Sequence, residues 1–470
     1  MRWSCSGGTR LAAAVVLLAS PAAGGPDTAT ERPPAVALAL DIEPVWAGHP
    51  VGFCLLTHDG RQYAAYYDAN RRMTVAQREP DSKRWRFHKL SSPATTLGWD
   101  SHNYVALAVD DTGNLHLSGN MHCRPLVYFR SARPHDAASL EPVGRMVGRN
   151  ESRCTYPKFL RGADGAMVFH YRDGGSGNGV EIYNVYDTRT KAWRRLLDTP
   201  LTDGRGKRNA YHVGPLRGGD GYFHMSWVWR DTPDCSTNHD LCYARSRDLV
   251  HWETAAGKPI PLPITLETEG VVVDPVPAGG GMLNGNGQIG FDSRGRVILS
   301  YHKFDAAGKT QAYNARWEDG RWRIVQASDW DYRWYFQGGG SINREVQVGR
   351  VVLGNGGALE QACSHAKHGS GLWVLDEKTL KPVATARPRR SWPAELNRVE
   401  SDFEGMQVRW AHDAGGSPDP GVTYVLRWET LPRNRDRPRP GPLPKPSMLR
   451  LYELRRQRTG EQTSPARRTP

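Results

Sequence analysis

Four polar residues occupy matching positions relative to glycines that close turns along this sequence. His122 and Arg230 each stand nine residues after a turn glycine, and Arg172 and His302 each stand seven residues after one. Offsets of seven and nine share parity, so on regular strands the four side chains lie on one face. Imidazole groups titrate near neutral pH, and guanidinium groups pair with anions. We therefore expect His122, Arg172, Arg230 and His302 to line one polar pocket.

The turn glycines belong to a repeated phrase, an Asp-rich turn ending in Gly and followed by an alternating apolar strand. They stand at positions 60, 113, 165, 221 and 295, and a second phrase closes most units with a tryptophan, at positions 85, 193, 252 and 322. Asp-Gly turns favour hairpins because Gly accepts a positive φ, and four short antiparallel strands make one propeller blade. A β-sandwich lacks so sustained a period. The repeat predicts an all-β fold, a seven-bladed β-propeller over residues 36–432.

A second set of positions matches eight to eleven residues before the turn glycines. It includes His102, the stretch 155–157, and Tyr211 with His212. In a propeller, equivalent strand ends converge around the axis, so we expect His102 and Tyr211 to stand on a common rim. A hydrogen-bonded structural role is the alternative for each histidine taken alone. Convergence of several histidines on one mouth argues against that alternative.

A cluster of thiols and imidazoles follows in the middle of the chain. His224 precedes Cys235, His239 and Cys242. Thiolate and imidazole groups at this density can hold Zn²⁺. The gap between the two cysteines is wider than the tight zinc spacings, however, and a disulfide between them or two free thiols are the alternatives.

The ends of the chain and its charge suggest where the protein acts. Residues 1–25 carry two arginines, an apolar run over 11–19 and then small residues, which is typical of a cleavable secretory signal. No apolar run is long enough to span a membrane, so we expect a secreted or periplasmic protein. The net charge of +13 attracts polyanions, and export disfavours nucleic acid among them. Residues 433–470 are rich in Pro and Arg, and we expect a mobile tail there.

Several phrases of the sequence resemble the BNR-repeat proteins that include the seven-bladed ulvan lyases. The phrases cover residues 100–104, 120–126, 169–179, 227–233 and 235–246, and the resemblance extends over about residues 45–330. It implies a polysaccharide lyase that cleaves a sulfated, uronate-containing polysaccharide by β-elimination and leaves a 4,5-unsaturated uronate end. The implied partner is thus an acidic polysaccharide.

The chemistry of β-elimination assigns roles to particular residue types. A proton α to a carboxylate is lost only after the carboxylate is neutralised. A base must then take that proton, and an acid must protonate the departing glycosidic oxygen. The resemblance places the catalytic groups at His102, His122 and Tyr171, with Tyr211 as the competing tyrosine. It places carboxylate or sulfate binding at Arg172, Arg230, Tyr211 and His212.

Two features depart from the pattern of the family. Tyr171 has the wrong parity on a regular strand, so a bulge would be needed to bring it to the site. Val185 stands where a basic residue is expected, which leaves the group that neutralises the carboxylate unassigned. The resemblance also implies a structural metal, zinc or calcium, and His224, Cys235 and His302 are the expected ligands. No organic cofactor is expected.

Two other functions compete with a lyase. Residues 246–252 resemble a degenerate Asp-box of the sialidase type, but that motif is a hairpin device and carries no chemistry. A glycoside hydrolase needs two carboxylates, or a Tyr and Glu pair, and the aligned positions offer His, Arg and Tyr. A glycan-binding propeller without catalytic activity is the other alternative.

Overall fold

The structure of the protein is a computed structural model, and it describes residues 33–456 except 355, 387–390 and 418. Its strands form seven antiparallel sheets, called blades 1 to 7 here in chain order. The predicted signal segment, residues 1–25, lies outside the described residues. Across the described ranges, no helix has the length and apolar character that a membrane crossing requires.

The first three blades contain most of the residues aligned above. Strand β1 (Ala35–Val45) comes first along the chain and belongs to blade 7. Blade 1 consists of β2 (Cys54–His58), β3 (Arg61–Tyr67), β4 (Met73–Arg78) and β5 (Arg86–Lys89). Blade 2 begins with β6 (Val105–Val109) and β7 (Leu115–Gly119), after which β8 (His122–Arg124) leaves to join blade 3, and it ends with β9 (Tyr128–Ser131) and β10 (Leu140–Pro142). Blade 3 adds β11 (Cys154–Arg161), β12 (Met167–Gly175), β13 (Asn178–Asp187) and β14 (Ala192–Arg195).

The next three blades follow the same plan. Blade 4 contains β15 (Asn209–Arg217), β16 (Phe223–Arg230), β17 (Asn238–Ser246), β18 (Trp252–Glu253), β19 (Pro259–Ile260) and β20 (Val272–Asp274). Blade 5 contains β21 (Gln288–Phe291), β22 (Val297–Phe304), β23 (Thr310–Glu318) and β24 (Arg321–Gln326). Blade 6 contains β25 (Val346–Leu353), β26 (Leu359–His365), β27 (Gly369–Leu375) and β28 (Pro382–Ala386).

Blade 7 combines strands from both ends of the described chain. Its strands are β29 (Gln407–His412), β30 (Val422–Thr430), β31 (Ser447–Arg455) and β1, in that order. Strand β1 pairs with β31 antiparallel, which ties the beginning of the fold to its end. Such pairing covers the edge of β31, which separated ends would leave exposed. The prediction of an all-β, seven-bladed β-propeller is confirmed.

The expected boundary at residue 432 is wrong, and so is the expected mobile tail as far as residue 456. Strand β31 lies beyond that boundary and pairs with β1 and β30. Leu449, Leu451 and Leu454 are buried in it, and each buried leucine contributes about 1.5–3 kcal/mol. The Pro- and Arg-rich residues around this strand hid its alternating apolar pattern.

The repeated Asp-rich phrase is a turn held by its own carboxylate. In blade 2, one carboxylate oxygen of Asp110 accepts hydrogen bonds from the backbone N–H of Thr112 and of Asn114, and Gly113 has φ +85°. Only glycine adopts such a φ without strain. These turns close one end of each blade, so residues seven to nine positions further on reach the opposite end. The aligned polar residues therefore reach the same face of the propeller.

Candidate active site

Two histidines share one carboxylate at this face of the propeller. His102 lies in the segment between β5 and β6, and His122 begins β8. The Nδ1 atom of His102 lies 2.7 Å from Oδ1 of Asp100, and Nδ1 of His122 makes a hydrogen bond with the other oxygen of the same carboxylate. The two imidazole centroids are 4.4 Å apart, and each side chain is about one quarter exposed. Asp100 thus fixes both rings and leaves both Nε2 atoms for other contacts.

A second carboxylate reaches His102 from the C-terminal part of the chain. Oδ2 of Asp436 lies 3.4 Å from Nδ1 of His102. Oδ1 of Asp436 accepts hydrogen bonds from the backbone N–H and the hydroxyl of Ser101, and the backbone N–H of Ser341 donates to Oδ2. Asp436 therefore joins three separate loops around one imidazole. The sequence did not single out Asp436, because it lies in the Pro- and Arg-rich segment that is predicted to be a tail.

Tyr156 is the tyrosine beside the two histidines. Its ring centroid lies 5.8 Å from that of His102 and 6.4 Å from that of His122. A bulge interrupts the pairing of β11 with β12 between Thr155 and Lys158, and Tyr156 has φ +60° there. A positive φ is strained for a bulky residue, and such strained residues cluster at functional sites. The alignment of residues 155–157 with His102 and Tyr211 was the signal that could have identified Tyr156.

Two arginines lie beneath the tyrosines. The guanidinium carbon of Arg172 is 4.9 Å from the ring centroid of Tyr156, and that of Arg230 is 4.2 Å from the ring centroid of Tyr211. Arg230 Nη1 donates to the Tyr211 hydroxyl over 3.0 Å, and Arg172 Nη2 donates to Thr155 Oγ1 over 3.2 Å. Cation–π contacts of this kind strengthen when they are desolvated.

Burial changes the expected role of these arginines. The structure brings Arg172, Arg230 and Tyr211 to the site as predicted, but both arginines are buried. The other Arg230 nitrogens donate to Asn238 and Asn284, whereas Arg172 Nε has no hydrogen-bond partner among the described residues. Because both side chains are buried, little of either guanidinium is exposed to a bound substrate. Their positive charges lie against the rings of Tyr156 and Tyr211.

The charges around His102 determine its protonation. Burial lowers its pKa, but the hydrogen bonds and negative charges of Asp100 and Asp436 outweigh burial and raise the pKa of His102 from 6.5 to about 9. Burial opposes ionisation of both carboxyls, yet the two histidines hold the pKa of Asp100 well below its ordinary value, and His102 and Ser341 do so for Asp436. Burial raises the pKa of Tyr156, against the opposing charge of Arg172. At neutral pH the site therefore holds an imidazolium and a neutral phenol.

The structure does not bring Tyr171 to the two histidines. Its side chain is fully buried on the opposite face of β12, and its hydroxyl accepts a hydrogen bond from Arg195 Nη1 over 3.1 Å. The pairing of β12 with β13 is regular, so the bulge that would have turned Tyr171 toward the site is absent from that pair. The bulge lies in the neighbouring strand β11 instead.

His212 and His302 do not reach the site either. His212 points away from Tyr211, toward Glu181 and Thr202, as alternation along β15 requires. His302 is covered by Trp334 and Phe336, and its Nδ1 lies 2.9 Å from the Gly281 carbonyl oxygen. Burial, with a contribution from Arg344, lowers the pKa of His302 to about 3.

The expected metal ligands are not brought together. His224 uses both ring nitrogens on protein partners, the Tyr243 hydroxyl at 2.6 Å and Asp220 Oδ1 at 3.0 Å. Cys235 packs with Trp334 in an apolar cluster. Within the described ranges, neither His224 nor Cys235 belongs to a cluster of side chains that could hold a metal ion. All six cysteines of the described chain are free, so the alternative disulfide is not formed.

Two other clusters have the composition of metal sites. One is Asp100 with His102 and His122, and the second consists of His170, Glu181 and His212. In each cluster the ligand atoms lie within 4.8 Å of one another. In the first cluster both Nδ1 atoms already make hydrogen bonds with the Asp100 carboxylate.

Fold and site together define a class: a β-propeller whose mouth carries a carboxylate-linked histidine pair, a strained tyrosine and buried arginines. Residues 61–330 match the BNR repeat-containing family, and the chain belongs to that family. Curated relatives include the long-isoform ulvan lyase of Alteromonas sp. (strain LOR), which is 26% identical over 135 residues, or 27% of this chain. The corresponding protein of Glaciecola sp. (strain KUL10) is 31% identical over 85 residues, or 18% of this chain. The matched segments cover 14% and 8% of those relatives.

Solved structures extend the likeness to most of the chain. The polysaccharide lyase Uly1 superposes with a TM-score of 0.58 at 13% identity, over 90% of this chain and all of that one. An ulvan lyase bound to -[GlcA(1-4)Rha3S]- gives a TM-score of 0.56 at 12% identity, over 89% of this chain and 96% of that one. At such identities the likeness establishes the fold.

The protonation of His102 gives a first testable prediction. Replacing Asp436 by Asn removes one of the two charges that favour the imidazolium, so we expect the pKa of His102 to fall from about 9 toward 6.5. Because protonation is favoured in the folded state, the stability that His102 contributes is complete below about pH 6.5 and is lost as the pH rises through about 9. NMR titration of the imidazole proton checks the shift. An unchanged titration midpoint in Asp436→Asn would show that Asp100 alone sets the pKa.

Proposed function

We propose that this protein is a polysaccharide lyase that cleaves a sulfated, uronate-containing polysaccharide by β-elimination. The observation that carries the proposal is the convergence of the partly exposed side chains of His102 and His122 with Tyr156, above two buried arginines. The ulvan lyases among the relatives, and the ligand bound by one of the similar structures, support a sulfated uronate polymer as the substrate.

His102 is the group best suited to neutralise the uronate carboxylate. It is a partly exposed cation at neutral pH, since its pKa is raised to about 9 by Asp100 and Asp436. The buried charges of Arg172 and Arg230 lie below the same surface and add to the positive potential. An enolate formed next to the carboxylate would thus be stabilised by charges that are already in place. This assignment fills the role for which Val185 offered no candidate.

The proton transfers are assigned to His122 and Tyr156. Asp100 occupies Nδ1 of His122, which orients Nε2 as the base that takes the proton from C5. Tyr156 is a neutral phenol at neutral pH because burial raises its pKa, so it is suited to donate a proton to the departing oxygen at C4. The C5–H bond and the C4–O bond break, and the C4–C5 double bond forms. After product release His122 gives the proton it took from C5 to solvent, and Tyr156 takes one up from solvent.

The carboxylates of the site do not favour a glycoside hydrolase. Asp100 is hydrogen-bonded to His102 and Asp436 forms an ion pair with it at 3.4 Å, and the pKa values of both carboxyls are held below the ordinary range. Neither is suited to act as the protonated acid that hydrolysis of a glycosidic bond needs. The Asp-box-like phrase serves its hairpin, where Asp248 Oδ1 accepts from the backbone N–H of Val250 and of His251.

One assay separates the three candidate functions. The purified protein is incubated with ulvan and with other uronate-containing glycans, and ultraviolet absorbance and reducing ends are followed together. A lyase produces the conjugated double bond and raises the absorbance, whereas a hydrolase produces reducing ends without it. A glycan-binding propeller produces neither. Reducing ends that appear without absorbance would overturn the proposal.

Export is part of the same proposal. A polymeric substrate cannot enter the cell, and the first 25 residues have the order of a secretory signal. We expect the mature protein in the culture medium or the periplasm. Cell fractionation followed by N-terminal sequencing of the exported form tests this expectation.

A further inference from the structure

We propose that His170, Glu181 and His212 form a binding site for a divalent metal ion of the zinc class, between blades 3 and 4. The three residues lie on β12, β13 and β15. His170 Nε2 is 2.5 Å from Glu181 Oε2, and His212 Nδ1 is 3.5 Å from Glu181 Oε1. Zinc binds imidazole nitrogens and carboxylate oxygens at about 2.0–2.2 Å. Ligand atoms with this spacing can surround such an ion after small side-chain rotations.

The unpaired polar atoms around this cluster support an ion. His170 Nδ1, His212 Nδ1, the Tyr183 hydroxyl and Trp227 Nε1 are all buried without a hydrogen-bond partner among the described residues. Tyr183 packs against His170 and Trp227 packs against His212, with ring centroids 4.6 and 6.0 Å apart. Buried polar atoms are nearly always satisfied, so such a concentration points to a bound ion at the cluster. A metal ion there would accept the lone pair of His212 Nδ1.

Other polar groups around the cluster have partners of their own. Lys158 Nζ donates to the Gly214 carbonyl oxygen over 2.9 Å, so its hydrogen bond is directed to the backbone. His212 Nε2 lies 3.4 Å from Thr202 Oγ1. A metal-bound imidazole commonly gives its second nitrogen to such a partner.

The location gives this ion a positioning role. Glu181 is the cross-strand partner of Arg172, and His170 lies on the same face of β12 as Arg172. Tyr211 immediately precedes His212 on β15. A metal ion here would fix the junction of the two blades directly behind the arginine and tyrosine of the mouth. This inference concerns metal content and stability, so it does not depend on the proposed lyase activity.

The test measures metal content, spectrum and stability of the full chain. The protein is stripped with a chelator, reloaded with Zn²⁺ or Co²⁺, and dialysed before elemental analysis and thermal unfolding. We expect about one metal ion per chain, a higher melting temperature on reloading, and visible Co²⁺ bands of tetrahedral intensity. Glu181→Gln and His212→Gln should each lose the ion. His224→Gln is the matched control, because His224 is equally buried but fully hydrogen-bonded, and it should retain the ion.

Several outcomes would overturn the assignment. If the reloaded wild-type protein retains no metal, the proposal is wrong, and His170, Glu181 and His212 form only a hydrogen-bonded group of charges. Retention of metal by folded Glu181→Gln and His212→Gln would move the ion elsewhere. A thiolate charge-transfer band in the Co²⁺ form would place it on a cysteine. The cobalt spectrum is taken on the wild-type chain, so it decides the ligand type even when a variant fails to fold.

Discussion

Replacement of Tyr156 by Phe is expected to lower the rate of product formation by about 10²–10⁴-fold, the usual contribution of a general acid. The substitution removes the hydroxyl that would protonate the departing oxygen and retains the ring that packs against His102. Initial rates from ultraviolet absorbance, at saturating and at low substrate, check the effect. We expect kcat to fall and KM to change little, because the ring still lines the mouth.

Tyr171→Phe is the matched control for this experiment. It removes the same hydroxyl from the same blade, but at a position where that hydroxyl contacts Arg195 inside the core. We expect a loss of about 1 kcal/mol in stability, from one hydrogen bond, and a nearly unchanged rate. The reverse result, with Tyr171→Phe inactive and Tyr156→Phe active, would restore the assignment that the sequence suggested.

The sequence predicted the mouth of the propeller well where two simple rules apply. Turn glycines set the register of each blade, and parity along a strand sets the face. These rules placed His122, Arg172 and Arg230 together, and they placed His102 and Tyr211 on the same rim. They need no knowledge of how one blade packs on the next.

The same rules do not give the depth of a residue. His302 has the offset of Arg172, yet Trp334 and Phe336 from the segment before blade 6 cover it. Arg230 lies at the mouth but is enclosed by Asn238 and Asn284. Burial of this kind depends on loops outside the repeat, where the sequence period carries no information.

Local irregularities explain the remaining errors. The bulge in β11 moves Tyr156 into the site, and its only trace in the sequence is an alignment of residues 155–157 with other rim positions. Asp436 lies among prolines and arginines, whose composition favours a solvated tail. Its two carboxylate oxygens nevertheless hold Ser101 and Ser341 as well as His102. Composition describes a segment as a whole and does not reveal one buried carboxylate within it.

His122→Ala is expected to abolish the absorbance rise, with a loss of about 10²–10⁴-fold or more, because it removes the proposed base. The substitution also frees one oxygen of Asp100, but the other oxygen keeps its hydrogen bond to His102, so the fold should be retained. The matched control is His251→Ala, whose side chain is 87% exposed on the hairpin of the Asp-box-like phrase. Circular dichroism and thermal unfolding should show both variants folded. Activity of His122→Ala equal to that of His251→Ala would remove His122 from the mechanism and leave His102 as the only candidate imidazole for proton transfer.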